Sequence, residues 1–121
     1  MDIQAFNEKK EYILRLMAEY MNEVEDCGYT LRDVNKCGKI LDAYVKELRK
    51  CTGIFRNNKA ILKCVEKVVL ALNVLNEKCG NSLIETDQRE ELASLIEGIA
   101  LEAGLTEYEA GDDFTAEWRE W

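Results

Sequence analysis

The stretch VVLALNVL, residues 68–75, decides the fold of this chain because it is apolar almost throughout. It belongs to a longer series of apolar residues spaced three and four apart, made of Ile61, Val65, Val68, Leu72, Leu75 and Cys79. This spacing places the side chains on one face of an α-helix. We therefore predict a helix at residues 57–79 and expect it to be the most buried helix of the protein.

Three further apolar stripes with the same spacing predict helices at residues 2–27, 30–51 and 87–103. Lys10 is the single break in the first stripe. The chain has 121 residues and no proline, which suits one domain with long helices and short loops. We predict an all-α fold, an antiparallel up-and-down four-helix bundle that occupies residues 1–121 as a single domain. An intermolecular coiled coil has similar spacing, but segments of this length bounded by glycine favour a compact bundle.

Turn-forming and capping residues separate the predicted helices. A glycine follows each helix, at Gly28, Gly53, Gly80 and Gly104. The residues that can cap the next helix are Thr30, then Asn57 or Asn58, then Thr86 or Asp87.

The chain has five cysteines and no histidine. Without histidine there is no His-based catalytic triad and no His ligand for zinc. No CxxC pair occurs, so we expect no metal site, no cofactor and five reduced, inert thiols. In an up-and-down bundle, Cys27 and Cys79 lie at one end and Cys51 at the other.

The sequence indicates a cytoplasmic protein without a membrane segment. Its longest apolar run, residues 68–72, is far too short to cross a bilayer. The first residues, MDIQAFNEKKEY, lack the basic and apolar regions of a signal peptide.

The net charge of −8 is unevenly distributed. Residues 1–28 and 81–121 carry net charges of −4 and −10, whereas residues 29–52 and 53–80 each carry +3. Neighbouring helices in a bundle then give one acidic and one basic side. Because the protein as a whole is acidic, we expect no nucleic-acid binding and suspect instead a basic protein partner on the acidic side.

The chain ends in GDDFTAEWREW, residues 111–121, which contains both tryptophans. A last short helix, capped by Asp112 or Thr115, would place Phe114, Trp118 and Trp121 on one face. We expect the tail, residues 104–121, to fold back on the bundle as a lid, with Trp118 substantially buried and Trp121 partly so. The other interpretation is an aromatic anchor for a partner, whose candidate residues are Glu107, Glu109, Asp112, Asp113, Trp118 and Trp121.

Together these features favour a non-catalytic protein-interaction module over an enzyme. In size and charge, though by no motif, the chain is similar to small acidic helical inhibitors and immunity proteins that neutralise a basic toxin or nuclease. The alternative is a ligand-binding or enzymatic helical domain with its site in the bundle core or under the tail. A polar cluster inside the bundle would favour that alternative. The oligomeric state is left open.

Overall fold

The computed structural model describes residues 1–121, apart from the side chain of Phe55, and its fold is an all-α four-helix bundle. The helices are α1 (Ile3–Glu23), α2 (Leu31–Arg49), α3 (Asn58–Lys78) and α4 (Thr86–Glu102). A short 3₁₀ helix, Phe114–Glu117, lies in the tail. The described residues contain no strand. The predicted fold class is confirmed.

The helices pack in ring order, so that α1 lies between α2 and α4, and α3 closes the ring. Neighbouring helices run antiparallel. The backbone N–H of Asp2, at the start of α1, donates to the Glu102 carboxylate at the end of α4 (2.9 Å). Near the opposite end, the Asn76 side chain of α3 accepts from the backbone N–H of Ile84, just before α4 (2.9 Å). The acidic segments α1 and α4 are therefore neighbours, as are the basic segments α2 and α3.

Two of the three predicted caps are confirmed. The backbone N–H of Thr30 donates to Asp33 (3.0 Å), and the Asn57 side chain accepts from Ala60 N–H (3.2 Å). The third is wrong by one residue, because the N-cap of α4 is Glu85. The backbone N–H of Ile84 is bound to the Asn76 side chain, which fixes the chain just before Glu85. Helix α4 therefore already includes Thr86, which was predicted as a cap.

Helix α1 ends four residues earlier than predicted, at Glu23. The chain leaves the helix because Val24 is extended and Asp26 has a positive φ of 54°. Gly28, with φ +98°, then packs so closely that a Cβ would lie 3.0 Å from the Cys79 carbonyl oxygen. This contact places Cys27 and Cys79 at one end of the bundle, as the up-and-down topology predicts.

The apolar stretch 68–75 is not buried on all sides. Leu70 and Val74 are 45% and 55% exposed, so the apolar character of this stretch does not bury α3 on every side. They occupy a face of α3 that no other helix covers. In contrast, Asn73 is 7% exposed and Asn76 is 3% exposed, so this apolar helix buries two amide side chains.

No helix among the residues that the structure describes has the length and the apolar character to cross a membrane.

Candidate functional site

The tail leaves α4 and is first held at the start of α3. The side chain of Asn58 donates to the Thr106 hydroxyl (2.8 Å) and accepts from its backbone N–H (3.1 Å). The Arg56 guanidinium donates to the Gly104 carbonyl (3.1 Å). Leu105, between these points, is buried in the core. The tail thus begins from a fixed position at one end of the bundle.

The aromatic end of the tail folds differently from the predicted short α-helix. Its 3₁₀ helix ends at Glu117 and starts after Asp113, not after Asp112 or Thr115. Phe114 is buried and stacks on Tyr108, with ring centroids 4.7 Å apart. The tail does not continue as an α-helix, because the Trp118 carbonyl and the Glu120 N–H form hydrogen bonds with a side chain of α3 and not with backbone groups of the tail.

That side chain is Asn73, which uses both ends of its amide to hold the tail. Its Nδ2 donates to the Trp118 carbonyl (2.8 Å), and its Oδ1 accepts from the Glu120 N–H (3.1 Å). Trp118 and Trp121 are both partly buried against the core. The tail therefore packs on the bundle through both indole rings. Trp121 Nε1 is enclosed, and no described atom accepts its hydrogen bond.

A polar network joins the tail to α4. Glu97 Oε2 accepts from both the backbone N–H and the hydroxyl of Thr115, each at 3.1 Å. Thr115 is fully buried, and its oxygen accepts from Arg119 Nη1 (3.0 Å). Arg119 also forms a two-point ion pair with Asp113 (2.8 and 3.2 Å) and lies 5.4 Å from the centroid of the Trp121 ring. This network and Asn73 together fix the last nine residues.

The two carboxylates of this network have opposite pKa shifts. Burial raises the pKa of Glu97 above its ordinary value, and the neighbouring charge of Asp113 adds to the shift. The hydrogen bonds from Arg119 lower the pKa of Asp113. At neutral pH, Asp113 is therefore the firmly ionised member of the pair, and Glu97 is the one that takes up a proton first on acidification.

An open cleft of about 590 Å³ lies between α4 and the tail. Glu90, Glu97 and Asp113 bring carboxylates to its lining, and Arg89 and Arg119 bring guanidinium groups. The small residues Ala93, Ser94 and Gly98 of α4 also line it. We call it the α4–tail cleft. A smaller depression of about 260 Å³ between α1 and α4 shares Ser94 and Gly98 with it.

Gly98 is a helix-interior glycine that the packing of this chain does not require. A Cβ built at this position would meet no described heavy atom within 4 Å. Gly38 differs, because a Cβ there would lie 3.0 Å from Leu14 Cδ1 at the α1–α2 contact. Glycine inside a helix lowers stability by about 0.5–1 kcal/mol relative to alanine. Gly98 therefore lowers the stability of α4 without allowing a closer packing contact in this chain.

The six candidate residues from the sequence separate into two groups. Glu107, Glu109 and Asp112 are exposed at the surface, although Asp112 also accepts from the Glu109 N–H (2.7 Å). Asp113 and Trp121 contact Arg119, and Trp118 packs against the core, so these three residues make contacts within the protein itself. The second group therefore helps to hold the tail against the bundle.

Sequence reasoning missed the residues that position the tail: Asn73, Glu97, Thr115 and Arg119. One signal was available for Asn73, which is a polar residue within an otherwise apolar run. Glu97 and Thr115 carried no such signal, because acids and hydroxyls are common on helix surfaces and at caps.

Three other buried polar side chains hydrogen-bond to the backbone, whereas Gln88 of α4 is buried and its Oε1 has no partner among the described atoms. Asn76 binds Ile84, Tyr44 donates to the Ile96 carbonyl (2.8 Å), and Tyr29 donates to the Met17 carbonyl (2.6 Å). Within the described residues, no three Cys, Asp or Glu side chains are grouped in a way that could hold a metal ion.

Comparison with known proteins gives this chain no relative: no family model, no curated protein and no solved structure matches it. The function therefore has to be inferred from the tail and its cleft.

Proposed function

We propose that the protein is a non-catalytic protein-binding module, such as an inhibitor, that receives a basic partner on the side formed by α1, α4 and the tail. The observation that carries this proposal is the α4–tail cleft, in which three carboxylates and two guanidinium groups surround open space beside Gly98. Asp113 is already paired with Arg119 and Glu97 is bound to Thr115, so a lysine or arginine side chain of a partner would pair with Glu90.

The surface around the cleft supports the same partner chemistry. Residues 81–121 contain twelve carboxylates and two arginines. In the described part of the chain, ion pairs within 4.0 Å engage two of these carboxylates, Glu91 with Lys9 and Asp113 with Arg119. The other ten carboxylates form no ion pair among the described residues and keep this side negative, which attracts a basic surface and accelerates its association. The exposed residues Glu107, Glu109 and Asp112 form the rim of this surface.

This binding role requires no chemical step from the protein. We expect the protein in the cytoplasm, a reducing compartment in which structural disulfides are rare. Nucleic acid is not the expected ligand, because the acidic side would repel its phosphates.

The test compares two substitutions at one position. Gly98→Phe fills the cleft, whereas Gly98→Ala adds one methyl group and leaves most of the space open. Each variant is titrated with a short oligoarginine peptide while the amide NMR signals are recorded. We expect shifts near Ser94, Gly98 and Gly111 in the wild type and in Gly98→Ala, and at least a tenfold loss of affinity in Gly98→Phe, a loss of about 1.4 kcal/mol.

Equal binding by the two variants would show that the peptide recognises only the diffuse negative charge, and the cleft would then not be the site. Melting temperatures of both variants, measured first, separate a blocked cleft from a damaged fold. A positive result justifies using the same pair as baits to capture the partner from the host cell.

A small molecule is the second candidate ligand for the same cleft. Its volume of about 590 Å³ falls within the ordinary range of ligand sites, about 300–1,000 Å³. Arg89 and Arg119 would favour a ligand that carries an anionic group as well as a cationic one. A thermal-shift screen with zwitterionic metabolites tests this candidate, and stabilisation lost in Gly98→Phe would favour it over a protein partner.

A further inference from the structure

Two cysteines meet where α2 is joined to α3. Cys51 follows the end of α2, and Cys64 lies in the second turn of α3. Their sulfur atoms are 3.9 Å apart, and both side chains are partly exposed. Cys27, Cys37 and Cys79 lie nearer the other end of the bundle, where Cys37 and Cys79 are buried. The Cys51–Cys64 contact is thus separate from the α4–tail cleft.

The local structure allows the two sulfurs to approach further. A disulfide requires them to move from 3.9 Å to about 2.05 Å apart. Cys51 lies in a turn outside the helix, so its backbone is not held by a full set of helical hydrogen bonds. Gly53 follows with φ +70°, and a Cβ there would meet no described atom within 4 Å. The shift can therefore come from Cys51, while Cys64 stays on its helix.

We propose that Cys51 and Cys64 form a redox site, a dithiol that a peroxide converts into an intramolecular disulfide. The Cys51 thiolate attacks one oxygen of hydrogen peroxide, the O–O bond breaks, and hydroxide leaves, so that Cys51 becomes a sulfenic acid. The Cys64 sulfur then attacks the Cys51 sulfur and expels the sulfenic oxygen. The two thiols and one peroxide give one disulfide and two molecules of water.

The surroundings assign different roles to the two thiols. Burial, together with Cys51 beside it, raises the pKa of the Cys64 thiol to about 11. Cys64 is therefore protonated at neutral pH and is the poorer nucleophile toward peroxide. It is well placed for the second step, because the sulfur it attacks is already in contact with it.

The disulfide would change the α2–α3 side of the bundle. It would close a loop between residues 51 and 64 and fix the end of α2 to α3, which restricts the unfolded chain. Cys64 also lines a mainly apolar cavity of about 160 Å³ with Tyr44 and Val68. Oxidation would move its sulfur toward Cys51 and alter that wall. In a reducing compartment such a bond is transient, which suits a sensor of peroxide.

The experiment treats the reduced full-length protein with hydrogen peroxide and digests it with trypsin without reduction. Cleavage after Lys50, Arg56, Lys63 and Lys67 separates peptides 51–56 and 64–67, so the disulfide is seen as these two peptides joined. We expect the free thiols to fall from five to three and the melting temperature to rise by several degrees. Dithiothreitol should reverse both changes.

Single substitutions assign the steps. Cys64→Ser should accumulate a sulfenic acid at Cys51 that a dimedone probe labels, and Cys51→Ser should form no crosslink. Cys27→Ser is the matched control, since it also replaces a partly exposed cysteine and should form the crosslink as the wild type does. Loss of thiols in the wild type without the 51–56/64–67 product would overturn the proposal. That digest needs no variant, so a variant that fails to fold does not affect the decision.

Discussion

Asn73 is the residue on which the position of the tail depends. We predict that Asn73→Ala lowers the free energy of unfolding by about 2 kcal/mol, because two hydrogen bonds to the tail backbone are lost together. Asn73→Asp is the matched variant. It retains an oxygen for Glu120 N–H but places a second acceptor against the Trp118 carbonyl. Urea unfolding followed by circular dichroism measures both, and an unchanged midpoint in Asn73→Ala would contradict the assigned role.

Glu97 gives the tail a dependence on pH. Because the pKa of Glu97 is raised in the folded protein, the folded state binds its proton more tightly than the unfolded state. The contribution of Glu97 to stability therefore falls as pH rises through the interval between the unfolded and folded pKa values. Asp113 has a lowered pKa, so its contribution is present above the unfolded pKa and is lost on acidification.

Substituting Glu97 separates these opposed effects. We predict that Glu97→Gln, whose amide oxygen can still accept from Thr115, gains stability relative to the wild type as pH rises from about 4.5 to neutrality. Thermal melts across this range measure the difference. Asp113→Asn should shift in the opposite direction and at lower pH: relative to the wild type it loses stability as pH rises toward the ordinary Asp pKa of 3.8, and the difference is constant above that pH. If the difference in melting temperature between the wild type and Glu97→Gln stays constant across this pH range, the pKa of Glu97 is not raised in the folded protein.

The tail is attached to the bundle as a single unit, because it makes polar and apolar contacts both before and after its 3₁₀ helix. We predict that deleting residues 112–121 lowers the free energy of unfolding by about 3 kcal/mol or more. Phe114 is buried in the core, and the loss of its side chain is by itself expected to cost about that much. Phe114→Ala is the comparison that keeps the chain length. Chemical denaturation measures both proteins. A truncated protein as stable as the wild type would mean that the tail is an interface and not a lid.

At the scale of the whole molecule, the unpaired carboxylates produce repulsion that salt can screen. We predict that the melting temperature rises as sodium chloride increases from about 10 mM to about 150 mM, where the screening length falls from about 30 Å to about 8 Å. The triple variant Glu107→Gln, Glu109→Gln, Asp112→Asn removes three exposed acids and should respond less. If salt raises the melting temperature equally in both proteins, these three acids do not contribute to the repulsion.

The sequence was sufficient to predict the bundle because its helices follow local rules. The three-and-four spacing and the glycines after each helix predicted four helices in the correct order. Capping rules identified Thr30 and narrowed the next cap to Asn57 or Asn58, of which the structure has Asn57. Lys10 was recognised as a break in the first stripe, and its side chain lies close to the bundle while pairing with Asp42 at 2.7 Å.

The site could not be predicted because its contacts are distant in sequence. Asn73 binds backbone groups 45 and 47 residues away, and Glu97 binds Thr115 18 residues away. The helical pattern of the tail was also misleading. An i, i+4 spacing of aromatic residues favours a helix only when nothing competes for the backbone, and here Asn73 does.

The position of both tryptophans has a practical consequence. Because the indoles at Trp118 and Trp121 lie in the last four residues, the intrinsic fluorescence of the protein reports on the tail and hardly at all on the four helices. A partner that displaces the tail would expose these rings and move their emission to longer wavelength while the helical signal stays constant. The protein thus contains its own optical probe for the opening of the lid, and no dye has to be attached to observe it.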